Sequence, residues 1–498
     1  MNKKRVVIIG AGPGGLTAGM LLASKGFEVR IFEKQDYIGG RNGALHMNGY
    51  TFDIGPTFLM MKFILEEVFA MAGRRIEDYL DIKEVDPMYR LVYSGGREFL
   101  PSHADHDATM QQLDALFPGS ATGYRKFLER EKTKFHRMMP CLQVPYESYS
   151  DLFSGRIFRA APYLDAHKSI FSHMKRYFND DELRISFTFQ AKYLGMSPWE
   201  CPGIFSIISY IEHDGGIWHP IGGLNQISQA MAKVIEEYGG RLFVSQGVKE
   251  LLVEDKKAVG VLLENGEKVV ADHIIINADF AYAMNHLVNR EHLAKWTPEY
   301  VEKKKYSCST FMLYLGVNRE YSDIPHHNIL FADDYKRNLT EISKTKVLSE
   351  DPSVYFQNAC GTDPTLAPKG KSTIYVLVPV PNNTATIDWD NEWEGFRERV
   401  IHICESKGGL RDLRKHIEVE KVISPATWEK EKFVYNGATF NLAHNVGQML
   451  MFRPHNRFED IGNCYLVGGG THPGSGLPTI YESGRITSDI IGQQAVDA

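Results

Sequence analysis

The sequence predicts an α/β protein in which two domains are interleaved along the chain. Three blocks carry that expectation. The first is a strand, a glycine-rich loop, a helix and a second strand within residues 5–33. The second is a set of short strands behind a glycine-ended helix at 219–279. The third is an apolar strand, a second glycine-rich loop and a last helix at 464–493. In the first block Arg5–Ile9 is β-branched and apolar, as a parallel strand buried on both faces must be. Gly10-Ala11-Gly12-Pro13-Gly14-Gly15 follows, then a helix with Leu16, Met20 and Ala23 on one face and Gly26 just past its end. Glu28–Phe32 is the next strand, closed by Glu33.

The second block opens with Pro220-Ile221-Gly222-Gly223. Leu224, Ile227, Met231, Ile235 and Tyr238 then recur at helical spacing until Gly239-Gly240. Strands are expected at Arg241–Val244, Val248–Val253, Val259–Leu263 and Val269–Ala271, with Asn265-Gly266 as a hairpin turn. Ile274–Ile276 reads as a buried strand running into Asn277-Ala278-Asp279. In the third block Cys464–Val467 is a strand and Pro478 opens a helix that reaches about Gln493. The intervening regions are mixed and aromatic-rich. Residues 1–90, 219–290 and 440–498 are therefore assigned to one discontinuous domain, and 91–218 with 291–439 to the other.

Composition narrows the function. The 498 residues carry 56 Lys/Arg against 62 Asp/Glu, a net charge of −6, so no nucleic-acid footprint is present. With 43% hydrophobic and 24% charged residues the chain is globular, not disordered. No apolar run reaches the roughly 18 residues of a spanning helix, and the N-terminal apolar run is too short for an export signal. The six cysteines are widely spaced, with no C-x-x-C pair, so reduced thiols and no metal site are expected.

Gly10, Gly12 and Gly15 form G-x-G-x-x-G between a strand and a helix, the context in which that spacing binds a dinucleotide. The first glycine permits the turn, the second lets backbone approach a pyrophosphate, and the third allows close packing of helix on strand. The helix N-terminus supplies amide donors. Glu33, at the second strand's end, can accept the hydroxyls of an adenosine ribose. Gly39-Gly40-Arg41 and Asp53-Ile54-Gly55-Pro56-Thr57 resemble the second fingerprint of flavoproteins with two dinucleotide folds, which a simple nicotinamide dehydrogenase does not need. Arg41 can neutralise a phosphate or line the flavin. The loop from Gly468 to Pro478 brings backbone close to a partner, and the helix behind it can face the pyrimidine end of an isoalloxazine. Glu482 reads as a first-turn partner of that helix dipole. The cofactor-binding set is Gly10, Gly12, Gly15, Glu33, Gly40, Arg41, Gly55, Val248, Gly470, Pro478 and Thr479.

With these motifs the chain resembles the bacterial-type phytoene desaturases, the FAD-dependent carotenoid desaturases. The resemblance also rests on Phe187-Thr188-Phe189-Gln190, Gly195-Met196-Ser197-Pro198, Trp218–Gly223, Asn277-Ala278-Asp279, Phe452–Arg457 and Gly470–Gly474. The chain departs from the family pattern twice. Gly469 occupies a position where such proteins often have Ala, and Ser483-Gly484-Arg485 stands where they often have a Ser-Ala pair. The resemblance implies a Rossmann-like FAD domain interleaved with an α+β substrate domain. It also implies a hydrophobic polyene substrate of the phytoene or C30 dehydrosqualene type and work at a membrane face. Isomerases, oxidases or ketolases and saturases share the family. An amine or protoporphyrinogen oxidase type of flavoprotein and a prenyl-binding escort protein are the readings outside it.

Desaturation by hydride loss from an allylic carbon leaves a delocalised cation, and loss of a neighbouring proton extends the polyene. The protein supplies position and an apolar tunnel, to which Phe187, Phe189, Phe205, Tyr210 and Trp218 could contribute. Asp151, Arg156 and Arg159 lie in a segment resembling one proposed as catalytic in the family, and His472 adjoins the last glycine loop. Asp151, Arg159 and His472 are the catalytic candidates. Residues 122–178 carry eleven Lys/Arg against five Asp/Glu with interleaved aromatics. That stretch, with Arg130, Lys132, Lys134 and Arg137 at its centre, is the expected contact with an anionic membrane. The expected location is cytoplasmic, peripheral or monotopic on the inner face of the cell membrane. Oligomeric state is not legible.

Overall fold

The computed structural model describes residues 3–496. Its first sheet is five-stranded and parallel, in the order Cys464–Leu466, His273–Ile276, Arg5–Ile9, Glu28–Phe32, Arg241–Phe243. Strands from the beginning, middle and end of the chain are thus neighbours. Val6 and Ile8 point to one face, into a core shared with the helices Pro13–Ser24, Asn225–Glu237 and Leu477–Val496. Val7 and Ile9 point to the other, against a three-stranded antiparallel sheet, Val248–Glu254, Lys257–Leu263 and Lys268–Val270. Burial on both faces is why Val6–Ile9 alternates with nothing polar.

The second sheet has seven strands and is mainly antiparallel. Its order is Ile417–Ile423, Ser309–Val317, Ser372–Val380, Val354–Asn358, His327–Leu330, Arg90–Val92, Glu98–Phe99. Phe311, Leu313, Leu315 and Val317 pack on one side, with the helix Trp389–Ser406. Met312 and Tyr314 face the other way, onto Tyr50 and Phe52. From that face Tyr314 donates its hydroxyl to the Ile54 carbonyl at 2.5 Å and Tyr375 donates to Gly55 at 2.6 Å. The sheet is in this way fastened to the loop that carries a predicted cofactor contact.

Most strands match their sequence-based bounds within one or two residues. The Arg241 strand stops at Phe243, and the Val269 strand is Lys268–Val270. All six cysteines are free, and four are buried. Phe187 is core, its ring stacked on Phe178 at 4.5 Å and on His213 at 4.9 Å. Phe189 and Tyr210 are also buried, while Phe205 and Trp218 keep partial exposure.

The basic stretch differs from expectation at its centre. Lys134 is fully buried, 3.0 Å from Glu131 and 3.2 Å from Asp165, and donates to Ser206 at 2.8 Å. His173 pairs with the same Glu131 at 3.0 Å, and Arg130 reaches Asp165 at 3.3 Å. The helix Ala121–Leu142 turns Lys134 inward because Gly123, Tyr124, Phe127, Glu131, Lys134 and Met138 share its buried face. Lys134 is therefore not a membrane-facing charge. Arg125, Lys126, Lys132 and Arg137 are exposed.

Candidate flavin site

Gly10 has φ +96° at the end of the first strand, a conformation strained for any residue with a Cβ. A Cβ on Gly15 would lie 2.6 Å from the Gly10 carbonyl, so only glycine allows the helix to start this close to the strand. Asn277 clasps the loop, its amide donating to Gly10 O at 2.9 Å and Gly12 O at 3.2 Å. In the sequence Asn277 is part of a motif with no role assigned to it; a polar residue directly after a buried strand is the available signal. The last helix crosses the first so closely that a Cβ on Gly484 would stand 2.7 Å from Gly14 O. That contact accounts for the glycine at this departure from the family pattern.

Glu33 is buried. Its carboxylate accepts from Ala11 N and Gln35 N, both at 2.8 Å. Burial raises its pKa above the ordinary 4.5, and the Gln35 and Ala11 amides oppose that rise. Gly39 N donates to Ala11 O at 2.8 Å, which lays the Gly39-Gly40-Arg41 turn on the first loop. A Cβ on Gly40 would be 3.6 Å from the Gly12 Cα. Arg41 donates to Thr439 O at 3.1 Å and lies 3.6 Å from Asp279. Burial raises Asp279, with Arg41 acting against it. Val248, buried, begins the strand just after Gln246, whose amide donates to Glu33 O at 2.9 Å.

The last glycine loop is held from beneath by Arg453. This side chain has no exposed surface and is satisfied wholly by carbonyls, among them Gly469 O at 2.7 Å and Thr471 O at 3.1 Å. Desolvation brings its pKa down to about 9. Asn456 donates to His472 O at 3.1 Å, and Ser475 N donates to His444 Nε2 at 3.0 Å. Pro478 is buried near the start of the helix that begins at Leu477, and Thr479 Oγ1 donates to Gly476 O at 2.9 Å. Glu482 lies beyond the first turn. It accepts from Gln143 at 3.0 Å and pairs with Arg485 at 2.5 Å, so it is a buried ion-pair partner, not a first-turn cap.

The nucleotide-binding candidates are thus brought together. The catalytic ones are not. Asp151 accepts from Ser148 N at 2.8 Å and Glu147 N at 2.9 Å as the acid of a capping box, and these bonds lower its pKa. Arg159 is exposed. His472 is buried against Tyr146, ring centroids 5.0 Å apart, with neither ring nitrogen hydrogen-bonded; burial drops its pKa to about 3.

A glycine cradle any side chain would fill, a buried carboxylate at its rim and a second glycine turn resting on it fit a dinucleotide. The profile of the flavin-containing amine oxidoreductases matches residues 13–492. A 4,4'-diapophytoene desaturase (4,4'-diapolycopene-forming) of Methylomonas sp is 50% identical over 99% of this chain and 96% of its own length. The chain belongs to the bacterial-type phytoene desaturase family of flavoproteins. A zeta-carotene-forming phytoene desaturase of Myxococcus xanthus is 37% identical over 98% of this chain and 93% of its own. Among solved structures, putrescine oxidase superposes with a TM-score of 0.64 over the whole of both chains at 14% identity, which speaks to fold alone. Like other members of the family this desaturase-type flavoprotein takes FAD as its cofactor.

Proposed function

We propose that the protein desaturates a linear carotenoid precursor, of the phytoene or C30 dehydrosqualene type, with FAD as hydride acceptor. The observation that carries this is 50% identity along nearly the whole chain to a diapophytoene desaturase, in a chain whose cradle, rim carboxylate and clasp are intact. Bound FAD supplies the two-electron chemistry. The protein's part is to hold the polyene in apolar surroundings, keep water from the allylic cation and receive the proton.

In this reading residues 1–90, 219–290 and 440–498 bind FAD, and 91–218 with 291–439 hold the substrate. His472, beside the last glycine loop, remains the catalytic candidate of the three, since Asp151 is committed to backbone amides and Arg159 is a surface cation. An insoluble substrate requires access from lipid. Among the described residues no helix is long and apolar enough to cross a membrane, and peripheral or monotopic attachment is the reading that fits such a substrate. Tyr149, Phe153 and Phe158 are 67%, 71% and 62% exposed, and Tyr149 lies 6.3 Å from the exposed Phe452. These rings beside the exposed basic face of the Ala121 helix support an anionic membrane surface as the partner. Expression in cells that accumulate C30 or C40 precursor, followed by pigment analysis, tests the activity. New, longer chromophores support it, and unchanged precursor in the presence of flavin-loaded protein refutes it.

A further inference from the structure

Three tyrosine hydroxyls from one face of the seven-stranded sheet end on the loop Ile54–Thr57. Tyr314 and Tyr375 are cross-strand partners, and their protons are spent on the carbonyls of Ile54 and Gly55. Tyr355, on the next strand, differs from both. Its hydroxyl lies 2.7 Å from Thr57 Oγ1 and 2.9 Å from His327 Nδ1, so of the three it alone has an imidazole behind it. His327 has no exposed surface, and its Nε2 has no hydrogen-bond partner.

The same tyrosine borders a hollow. Val354–Asn358 and Ser372–Val380 are interior strands, paired on both edges, and Tyr355 stands directly opposite Leu377. On this face Tyr314 and Tyr375 are buried, yet Tyr355 and Leu377 keep accessible surface. The face is covered from the flavin side. The Phe58 ring lies 5.5 Å from Tyr355 and 5.6 Å from Tyr193, and Phe58 and Tyr193 keep surface as well. Surface retained in the middle of a covered face opens on an enclosed space, here apolar and walled on one side by the residues that follow Gly55. We propose that Tyr355, backed by His327, is the proton acceptor of the desaturation. Once the allylic C–H bond has given up its hydride to the flavin, a C–H bond on the adjacent methylene breaks. Its electron pair forms the new double bond, its proton goes to the Tyr355 oxygen, and the Tyr355 O–H proton passes to His327 Nδ1. The imidazolium then returns its proton to solvent.

The neighbouring histidines set the direction of this pair. His219 donates Nε2–H to Asp363 at 3.0 Å, which leaves its Nδ1 an acceptor without a partner. The His326 ring packs on both others, 4.9 Å from His219 and 4.3 Å from His327. A proton on His327 Nε2 complements the free acceptor of this cluster and leaves Nδ1 open toward Tyr355. Burial, with the neighbouring imidazoles, holds His326 and His327 well below the ordinary 6.5, so both are neutral at pH 7. The carboxylates of the group are Asp363, which also accepts Gly222 N at 2.7 Å, and Asp53, which accepts Leu224 N at 2.7 Å. Brønsted behaviour sets the demand on a base by the acid it faces, and a C–H bond beside an allylic cation is a strong acid, so a weak base suffices. His472 has neither ring nitrogen hydrogen-bonded and so has no group to hand the proton on to.

The proposal rests on the desaturase reading, and two measurements separate them. Nitrogen NMR of the holoprotein with isotope-labelled histidine, its His327 signals assigned by their loss in His327→Gln, needs no substrate. A neutral ring with the proton on Nε2 is expected, and Tyr355→Phe should shift the Nδ1 signal toward that of a free acceptor. A proton on Nδ1 overturns the proposal. With precursor in liposomes, Tyr355→Phe and His327→Gln should each lose turnover by about 10²- to 10⁴-fold with the flavin spectrum unchanged. Tyr314→Phe removes a hydroxyl from the same loop with no histidine behind it, and should lose at least about tenfold less. Equal losses in Tyr314→Phe and Tyr355→Phe would make the role one of loop anchoring and overturn the assignment. Loss in His472→Gln with Tyr355→Phe within twofold of wild type moves the role to His472 and overturns it too. Inactive wild type refutes the desaturase reading instead, and the tautomer still decides whether the pair can accept a proton.

Discussion

The substitution Glu33→Gln perturbs one buried oxygen and leaves the side chain's shape. Both carboxylate oxygens accept a backbone amide at 2.8 Å, from Ala11 and from Gln35. A glutamine has one acceptor oxygen, so one of these amides faces an NH₂ group and loses its partner. A hydrogen bond to a charged group contributes about 1.5–3 kcal/mol, and the ribose hydroxyls lose such a bond as well. FAD affinity should therefore fall by about 10- to 100-fold, each tenfold corresponding to about 1.4 kcal/mol. The sign with pH follows from the raised pKa of Glu33. In the apoprotein the protonated carboxyl is favoured, so its share of stability is present below 4.5 and is lost as pH rises through the raised value. Ribose hydroxyls donate to the ionised form, so FAD binds more weakly as pH falls through that same value, and the Glu33→Gln variant lacks this dependence. Titration of apoprotein with FAD, followed by quenching of flavin fluorescence across pH, measures both effects. An unchanged dissociation constant and an unchanged pH profile would refute the placement of Glu33 on the ribose.

FAD should be held without a covalent bond, since the cradle acts through backbone and a carboxylate; denaturing precipitation should leave all flavin in the supernatant. NAD⁺ should not serve as the stoichiometric oxidant, because the single strand–G-x-G-x-x-G–helix unit is taken by FAD; anaerobic turnover with NAD⁺ alone would contradict this. Lys134→Met should cost about 3–5 kcal/mol, read as a lower thermal midpoint, by removing the buried ammonium that Glu131 and Asp165 share. Burial alone would raise Glu131, but His173, Lys134 and Ser206 outweigh it and hold the carboxyl at about 2, so this stability is present above 4.5 and is lost as pH falls toward 2. Phe153→Ser with Phe158→Ser should reduce pelleting with anionic liposomes even in high salt. Arg125, Lys126, Lys132 and Arg137 changed together to Gln should reduce it only in low salt.

What was legible in the sequence was whatever depends on spacing along the chain. Val6–Ile9, the Gly10–Gly15 loop and Glu33 form one local unit, and local sterics dictate its shape. The end of that unit could be read without knowing what lay above it, whereas the register of the parallel sheet could not. What was hidden depends on which residues the second domain brings opposite one another. Lys134 sits among exposed basic neighbours in the sequence. Only the helix phase, with Phe127 and Met138 on the same face, turns it into the core, where Glu131 from its own helix and Asp165 from a later loop receive it. Arg453 was visible within a motif, but its five donors are spent on carbonyls contributed by two loops, which no spacing rule encodes.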